Sequence, residues 1–83
     1  MLSVLIVGED HAFRTVLRTA FQSGGFDDCV EAANLSDAVD KLNQLSPNLA
    51  VVDFSTPEMN GLQLARQLRG HEPTLPIFIV TAD

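Results

Sequence analysis

The sequence predicts an α/β domain in which four strands and three helices alternate in the order βαβαβαβ. Two observations lead to this prediction. Short apolar runs of strand length alternate with longer segments in which apolar residues recur at helical spacing. The connections between them are short and rich in Gly, Pro, Asn and Asp, which favour turns. Such an alternation predicts parallel strands, right-handed crossovers and helices on both faces of one sheet.

The first strand is predicted at residues 2–7, a nearly continuous apolar run that is typical of a strand buried on both faces. From His11 the period becomes helical, with Arg14, Arg18 and Gln22 on the side opposite the apolar stripe. The stripe consists of Ala12, Phe13, Val16, Leu17, Ala20 and Phe21. Asp10 can cap this helix, and the glycines at 24 and 25 end it.

The second unit is less regular. Residues 29–33 form a weaker, partly polar strand, as expected at the edge of a sheet. A second helical stripe follows, made of Leu35, Ala38, Val39, Leu42 and Leu45. Ser36 is placed to cap this helix, and Pro47 lies just past its end.

The third and fourth strands are predicted at residues 48–53 and 76–80. Residues 54–60 form the loop after the third strand. The helix between the two strands is marked by Leu62, Leu64, Ala65 and Leu68. Gly70 and Pro73 close it. The fourth strand is apolar along its length and carries a free edge, so we expect self-association by pairing of this strand or by exchange of elements between chains.

Composition narrows the possible functions. Apolar residues make up 46% of the 83 residues, enough for the packed core of one domain spanning residues 1–83. The net charge of −6 argues against binding to nucleic acid or to anionic membrane surfaces. Cys29 is the single cysteine, and with no secretory leader at the N-terminus it indicates a reducing, cytoplasmic setting.

Acidic residues follow two of the predicted strands. Glu9 and Asp10 come after the first strand, and Asp53 ends the third. Because the carboxyl ends of parallel strands share one edge of the sheet, the three carboxylates converge there, where Thr81 also follows the fourth strand. Crowded carboxylates are unfavourable without a cation, and Mg²⁺ prefers such oxygen ligands. A carboxylate beside Mg²⁺ can also act as a nucleophile toward a phosphoryl group.

Taken one at a time, these residues have simpler explanations. Glu9 and Asp10 fit a solvated loop or a helix cap, Asp53 fits a turn, and Thr81 fits a strand end without a role. The combination at the ends of separate strands favours a site.

Five segments follow one another in a familiar order and spacing: residues 4–7 with Glu9 and Asp10, residues 31–34, residues 49–53, Pro57 with Gly61, and residues 77–82. Together they resemble the receiver domain of bacterial two-component response regulators, over essentially the whole chain. The resemblance implies a flavodoxin-like parallel sheet and a signalling module that is not itself an enzyme.

The resemblance also implies a role for each matching residue. Asp53 would accept a phosphoryl group from a histidine kinase or a phosphotransfer protein. Glu9 and Asp10 would hold Mg²⁺ beside Asp53, with the backbone carbonyl of Ser55 as a further ligand. Thr81 would be the switch hydroxyl that turns toward the phosphoryl group.

Pro57 and Gly61 would shape the loop that follows Asp53, because Pro fixes φ and Gly tolerates close approach. Thr56 departs from the family, which more often has Met or Leu there, and this bears on loop packing.

The family fold has five βα units, whereas this chain holds three units and one more strand, so we interpret it as a receiver domain truncated after the fourth strand. It is either a fragment or a naturally shortened form. The lysine that the family places after its fifth strand has no counterpart, since Lys41 belongs to the second helix. Three carboxylates and Mg²⁺ leave a net charge of −1 at the site. We therefore expect weak Mg²⁺ binding and poor phosphorylation.

Two other functions are open at this point. One is an assembly element that does not signal by phosphorylation and uses the edge of the fourth strand as its dimer contact. The other is an enzyme that binds a nucleotide or a flavin, which the turn from Gly8 to His11 disfavours because it lacks a dinucleotide fingerprint and a phosphate-cradling loop. His11 and His71 are expected at the surface, as are Arg66 and Arg69.

Overall fold

Seven elements follow one another in the predicted order. The computed structural model describes residues 2–53 and 61–80 of the chain. The elements are β1 Ser3–Val7, α1 His11–Ser23, β2 Asp28–Ala32, α2 Leu35–Leu45, β3 Leu49–Asp53, α3 Gly61–His71 and β4 Ile77–Val80. The βαβαβαβ order is thus confirmed.

The strands form one parallel sheet in the order β2-β1-β3-β4. In register, Ile6 pairs with Glu31 on one side and with Val51 on the other, while Asp53 pairs with Val80. The central position of β1 explains its composition, because Val4 to Val7 are all buried and such a strand has no solvent-facing side. Within the described chain β2 and β4 are the two edges, as predicted.

The two faces of the sheet are covered unequally. We call the face under α2 and α3 the two-helix face. Its buried residues form one cluster, Leu5, Val7, Ala32, Ala38, Leu42, Ala50, Val52, Leu64, Leu68 and Leu75. We call the opposite face, which α1 alone covers among the described elements, the one-helix face, and its buried cluster is Val4, Ile6, Cys29 and Val51. Side chains alternate along a strand, so Asp53 shares the one-helix face with Val51.

Helix α1 buries less than its sequence pattern predicts. Leu17 and Phe21 pack against the cluster of the one-helix face, but no residue of α1 is fully buried. Val16, part of the predicted apolar stripe, is 65% exposed. The stripe is only partly covered because one helix spans only part of a four-stranded face, and α1 lies over β1 and β2.

The helix caps agree with prediction at α1 and differ at α2. Asp10 caps α1, its Oδ1 accepting a hydrogen bond from the backbone N–H of Ala12 at 2.9 Å. Asn34, and not Ser36, caps α2, since its Oδ1 accepts from the N–H of Asp37 at 2.8 Å. The helix starts two residues earlier than a Ser36 cap would require, and Asn is at least as good a cap as Ser.

The described helices include none that is long and apolar enough to cross a membrane.

Candidate functional site

Asp53 is the one polar or charged residue among those described that is classed as buried, with 2% of its surface exposed. It ends β3, at the edge of the sheet where the strands have their carboxyl ends. A buried carboxylate requires hydrogen-bond partners, and no buried side-chain nitrogen or oxygen in the described parts of the chain lacks one. Such a group in a sheet of this kind is a candidate for chemistry because the ligand sites of open parallel sheets lie at this edge.

Gly8 packs closely against Asp53. It is buried directly after β1, where the register that pairs Val7 with Val52 continues toward Asp53. A Cβ atom built on Gly8 would lie 2.9 Å from Cβ of Asp53 and 3.4 Å from its Oδ2. Glycine is needed at this position because the backbone of Gly8 lies close to the side chain of Asp53, and not because the backbone has an unusual φ. From the sequence, Gly8 was interpreted only as the start of the turn that leads to His11. The contact could have been predicted from the strand order, because Gly8 lies beside Asp53 once β1 and β3 are neighbours.

Glu9 and Asp10 lie in the exposed turn that joins β1 to α1. One carboxylate oxygen of Asp10 serves as the helix cap. Among the described residues, no group of three or more His, Cys, Asp or Glu side chains is arranged to hold a metal ion. Glu9 and Asp10 thus lie at the predicted edge of the sheet. Their joint role with Asp53 as ligands of a metal ion stays a prediction.

Other predicted site residues fall partly outside the described chain. Ser55, Pro57 and Thr81 lie outside the described residues, so the roles predicted for them stay predictions. Gly61 is the first residue of α3 and is buried.

Two arginines of α1 bind one carboxylate of β2. Nε of Arg14 lies 3.0 Å from Oε1 of Glu31, and an Nη of Arg18 lies 2.9 Å from its Oε2. Arg14 also donates a hydrogen bond to the backbone carbonyl of Gly8. The sequence interpretation placed both arginines on the outer side of the helix. That was wrong for Arg14, whose side chain is 12% exposed, because Glu31 lies on the face that α1 covers.

The two arginines decide the charge state of Glu31. Burial alone would raise the pKa of this carboxyl group, but the hydrogen bonds from Arg18 and Arg14 outweigh burial and bring its pKa below the ordinary value. Glu31 is therefore ionised at neutral pH, and the cluster of two arginines and one carboxylate carries a net positive charge.

The remaining candidates agree with their predicted places. Burial raises the pKa of the Cys29 thiol, with Arg18 opposing the shift, so Cys29 acts as a small apolar residue of β2. His11 and His71 are exposed, as are Arg66 and Arg69. Arg69 nevertheless donates to the carbonyl of Leu75 at 2.6 Å and thereby fastens the connection from α3 to β4.

The sequence of this chain is similar to known proteins. The response regulator receiver domain family matches residues 4–83. A protein-glutamate methylesterase/protein-glutamine glutaminase of Halobacterium salinarum is 32% identical over 82 residues, which are 99% of this chain and 23% of that protein. The chemotaxis protein CheY of Listeria monocytogenes is 29% identical over 82 residues, covering 99% of this chain and 69% of CheY. The chain thus spans about a quarter of the first relative.

Solved structures agree in fold. The response regulator TrrA of Thermotoga maritima in complex with Mg²⁺-BeF has a TM-score of 0.87 at 25% identity, over 100% of this chain and 71% of that one. The complex of TrrA with the histidine kinase ThkA matches with a TM-score of 0.84 at 26% identity, over 99% of this chain and 70% of the matched chain. The parallel sheet and the family match together show that this chain belongs to the response regulator receiver domain family.

Proposed function

We propose that the chain is a phosphoacceptor of a two-component phosphorelay and that Asp53 is the residue that takes the phosphoryl group. The buried position of Asp53 at the carboxyl end of β3, against Gly8, supports this proposal most strongly. An oxygen of Asp53 attacks phosphorus, the P–N bond of a phosphohistidine breaks, and the imidazole nitrogen leaves with its electron pair. The product is an acyl phosphate on the chain. The matched complex of TrrA with a histidine kinase supports a kinase or a phosphotransfer protein as the donor.

Carboxylate oxygens, which this edge carries on Glu9, Asp10 and Asp53, are the ligands that Mg²⁺ prefers. Mg²⁺ binds through one or two carboxylates and keeps several waters, so a cage of three protein ligands is not required. Glu9 and Asp10 would hold the ion beside Asp53, with the Ser55 carbonyl as a further ligand. When bound, Mg²⁺ offsets the negative charge that accumulates between Asp53 and the incoming phosphoryl group. The Mg²⁺-BeF complex of TrrA supports this assignment.

Thr81 would then supply the switch hydroxyl, and Pro57 and Gly61 would shape the loop next to Asp53. The free thiol of Cys29 supports a reducing, cytoplasmic setting. We assign the chain no enzymatic activity of its own.

The 83-residue chain is expected to react slowly. Its lysine, Lys41, lies on α2 and is not available to balance the charge of −1 that three carboxylates and Mg²⁺ leave. A phosphoryl group adds further negative charge. We expect weak Mg²⁺ binding and slow, incomplete phosphorylation.

Intact mass after incubation with a small phosphodonor and Mg²⁺ tests both statements. We expect a partial gain of one phosphoryl group, absent in Asp53→Asn. Rapid stoichiometric phosphorylation would contradict the expected impairment, and the same gain in Asp53→Asn would contradict the role of Asp53.

A second candidate function is self-association through β4. This strand pairs only with β3 in the described chain, and Phe78 and Ile79 are 57% and 43% exposed. An unpaired, apolar strand edge is a template for pairing with another copy. We therefore propose a homo-oligomer formed by β4 pairing or by exchange of elements. Sedimentation separates the two functions, because an assembly element keeps its oligomer in Asp53→Asn, and a clean monomer at high concentration would contradict self-association.

A further inference from the structure

We infer that Arg14 is a positioning residue for the site, because its guanidinium group, oriented by Glu31, fixes the turn that carries Glu9 and Asp10. The expected effect of Arg14 on Mg²⁺ binding and phosphorylation rests on the proposed phosphoacceptor function. The effect of Arg14 on the position of the turn is independent of that function.

Arg14 is tied to two separate acceptors. Its Nε donates to Oε1 of Glu31 at 3.0 Å, and its Nη1 donates to the carbonyl oxygen of Gly8. The guanidinium group is planar and rigid, so fixing one of its nitrogens on Glu31 also fixes the direction of the other. Both side chains are largely buried, at 12% and 19% exposure, where charge-assisted hydrogen bonds are strong.

Gly8 is thereby fixed at both of its backbone groups. Its N–H donates to the carbonyl of Ala32 at 3.0 Å, and its carbonyl accepts from Arg14. Because the peptide bond is planar, holding the Gly8 carbonyl also sets the plane of the Gly8–Glu9 peptide. The orientation in which the chain enters the acidic turn follows from that plane.

Arg14 also holds the far end of the same turn. Its backbone N–H donates to the carbonyl of Asp10 at 3.1 Å, as the first turn of α1 requires. The side chain of Arg14 thus contacts the residue before Glu9, and its backbone contacts the residue after it. Together with the close approach of Gly8 to Asp53, these bonds define where Glu9 stands relative to Asp53.

Arg18 provides a matched control. It binds the same carboxylate, with an Nη 2.9 Å from Oε2 of Glu31, but its side chain is 47% exposed, and among the described residues its side chain donates to Glu31 alone. Loss of Arg18 removes an ion pair of Glu31 and leaves the bond from Arg14 to Gly8 in place. A purely structural role of the cluster would lower the stability of both variants without moving the Gly8 carbonyl resonance or the Mg²⁺ affinity.

The test compares Arg14→Gln, Arg14→Lys and Arg18→Gln with the unchanged chain. The first readout is the ¹³C resonance of the Gly8 carbonyl, which moves upfield when its hydrogen bond is lost. The second is the Mg²⁺ dissociation constant, obtained by NMR titration. The third is the rate of acyl phosphate formation with a small phosphodonor, and thermal unfolding is followed in parallel.

For Arg14→Gln we expect an upfield shift of the Gly8 carbonyl and roughly tenfold losses in Mg²⁺ affinity and phosphorylation rate, the size expected for one charge-assisted hydrogen bond. Arg14→Lys keeps the charge but not the two-pronged geometry, so it should lose nearly as much. Arg18→Gln should stay within about twofold on all three readouts even if its thermal stability falls, since exposed ion pairs contribute little.

Equal effects of Arg14→Gln and Arg18→Gln would overturn the inference, as would an unmoved Gly8 carbonyl in Arg14→Gln. If Arg14→Gln does not fold, Arg14→Lys provides the same comparison. If the unchanged chain is not phosphorylated at all, the proposed function fails, and the Gly8 resonance still decides the role of Arg14.

Discussion

The two faces of the sheet differ in what they contribute. The two-helix face is an apolar core that joins three strands to α2 and α3. The one-helix face has a smaller buried cluster, and the helix that covers it buries no residue completely. On the same face lie Asp53, Gly8 and the ion pairs of Glu31. The contrast indicates that one face holds the fold together and the other presents the site.

Geometry explains the difference. Two helices, α2 and α3, pack on the two-helix face, whereas on the other face α1 lies over β1 and β2. Phe78 pairs with Val51 on the uncovered half, and it is 57% exposed. Polar and charged groups are tolerated where packing is incomplete and water can reach their outer atoms. Changes on the two faces should therefore have different consequences.

The largest effect is expected in the core of the two-helix face. Leu68 on α3 is fully buried, and Leu68→Ala should lower the free energy of unfolding by about 3 kcal/mol, because it removes buried methyl groups and leaves a cavity. Val16→Ala on α1 is the control from the other face and should cost less than about 0.5 kcal/mol, since Val16 is 65% exposed. Urea unfolding of both variants measures this, and similar costs would erase the distinction between the faces.

The next effect tests the contact at the site. Gly8→Ala would bring Cβ within 2.9 Å of Cβ of Asp53, so one of two packed strands must shift, and we expect a loss of about 2 kcal/mol. Gly70→Ala is the matched control, because outside its own helix no described atom lies within 4 Å of its added Cβ. In the last turn of α3, alanine should stabilise the chain by up to about 1 kcal/mol. Thermal unfolding measures the stability of both variants. A Gly8→Ala variant as stable as the unchanged chain would contradict the close contact between Gly8 and Asp53.

A smaller effect is expected at the exposed edge. Phe78→Lys should weaken self-association about tenfold, because a charge on an edge strand opposes pairing with another copy. Leu45→Lys, at a residue 38% exposed on α2, is the control and should leave the dissociation constant unchanged. Sedimentation over a concentration series gives both constants. Equal weakening in the two variants would place the contact elsewhere.

The smallest effect concerns pH. The pKa of Glu31 is lowered in the folded chain because the hydrogen bonds from Arg18 and Arg14 outweigh burial, so its contribution to stability is present above the unfolded pKa. That contribution disappears as pH falls through the folded pKa. Glu31→Gln should therefore cost about 1 kcal/mol at pH near 7 and progressively less in acid, as measured by denaturant unfolding at several pH values. A constant difference across the series would contradict this role.

The parallel fold could be predicted because the apolar periods and the turn residues indicate the same alternation of strands and helices along the chain. The sequence also predicted that Asp53 would stand at the carboxyl end of β3. It could not show that Gly8 touches Asp53, because that contact depends on which strands are neighbours and on a separation of 2.9 Å.

The sequence also could not place Arg14. A helical period separates the apolar side from the polar side, but it does not reveal that a carboxylate of β2 lies on the covered face. The exposure of Val16 could not be predicted either, since its position in the apolar stripe says nothing about how much of the sheet one helix covers.

The most direct test of the central claim, that Asp53 is the phosphoacceptor, is ³¹P NMR of the chain and of Asp53→Asn, each with a small phosphodonor, with and without Mg²⁺. We predict a weak acyl phosphate resonance in the unchanged chain that requires Mg²⁺, disappears on addition of hydroxylamine and is absent from Asp53→Asn. The same resonance in Asp53→Asn, or none in the unchanged chain at saturating Mg²⁺, would contradict the claim.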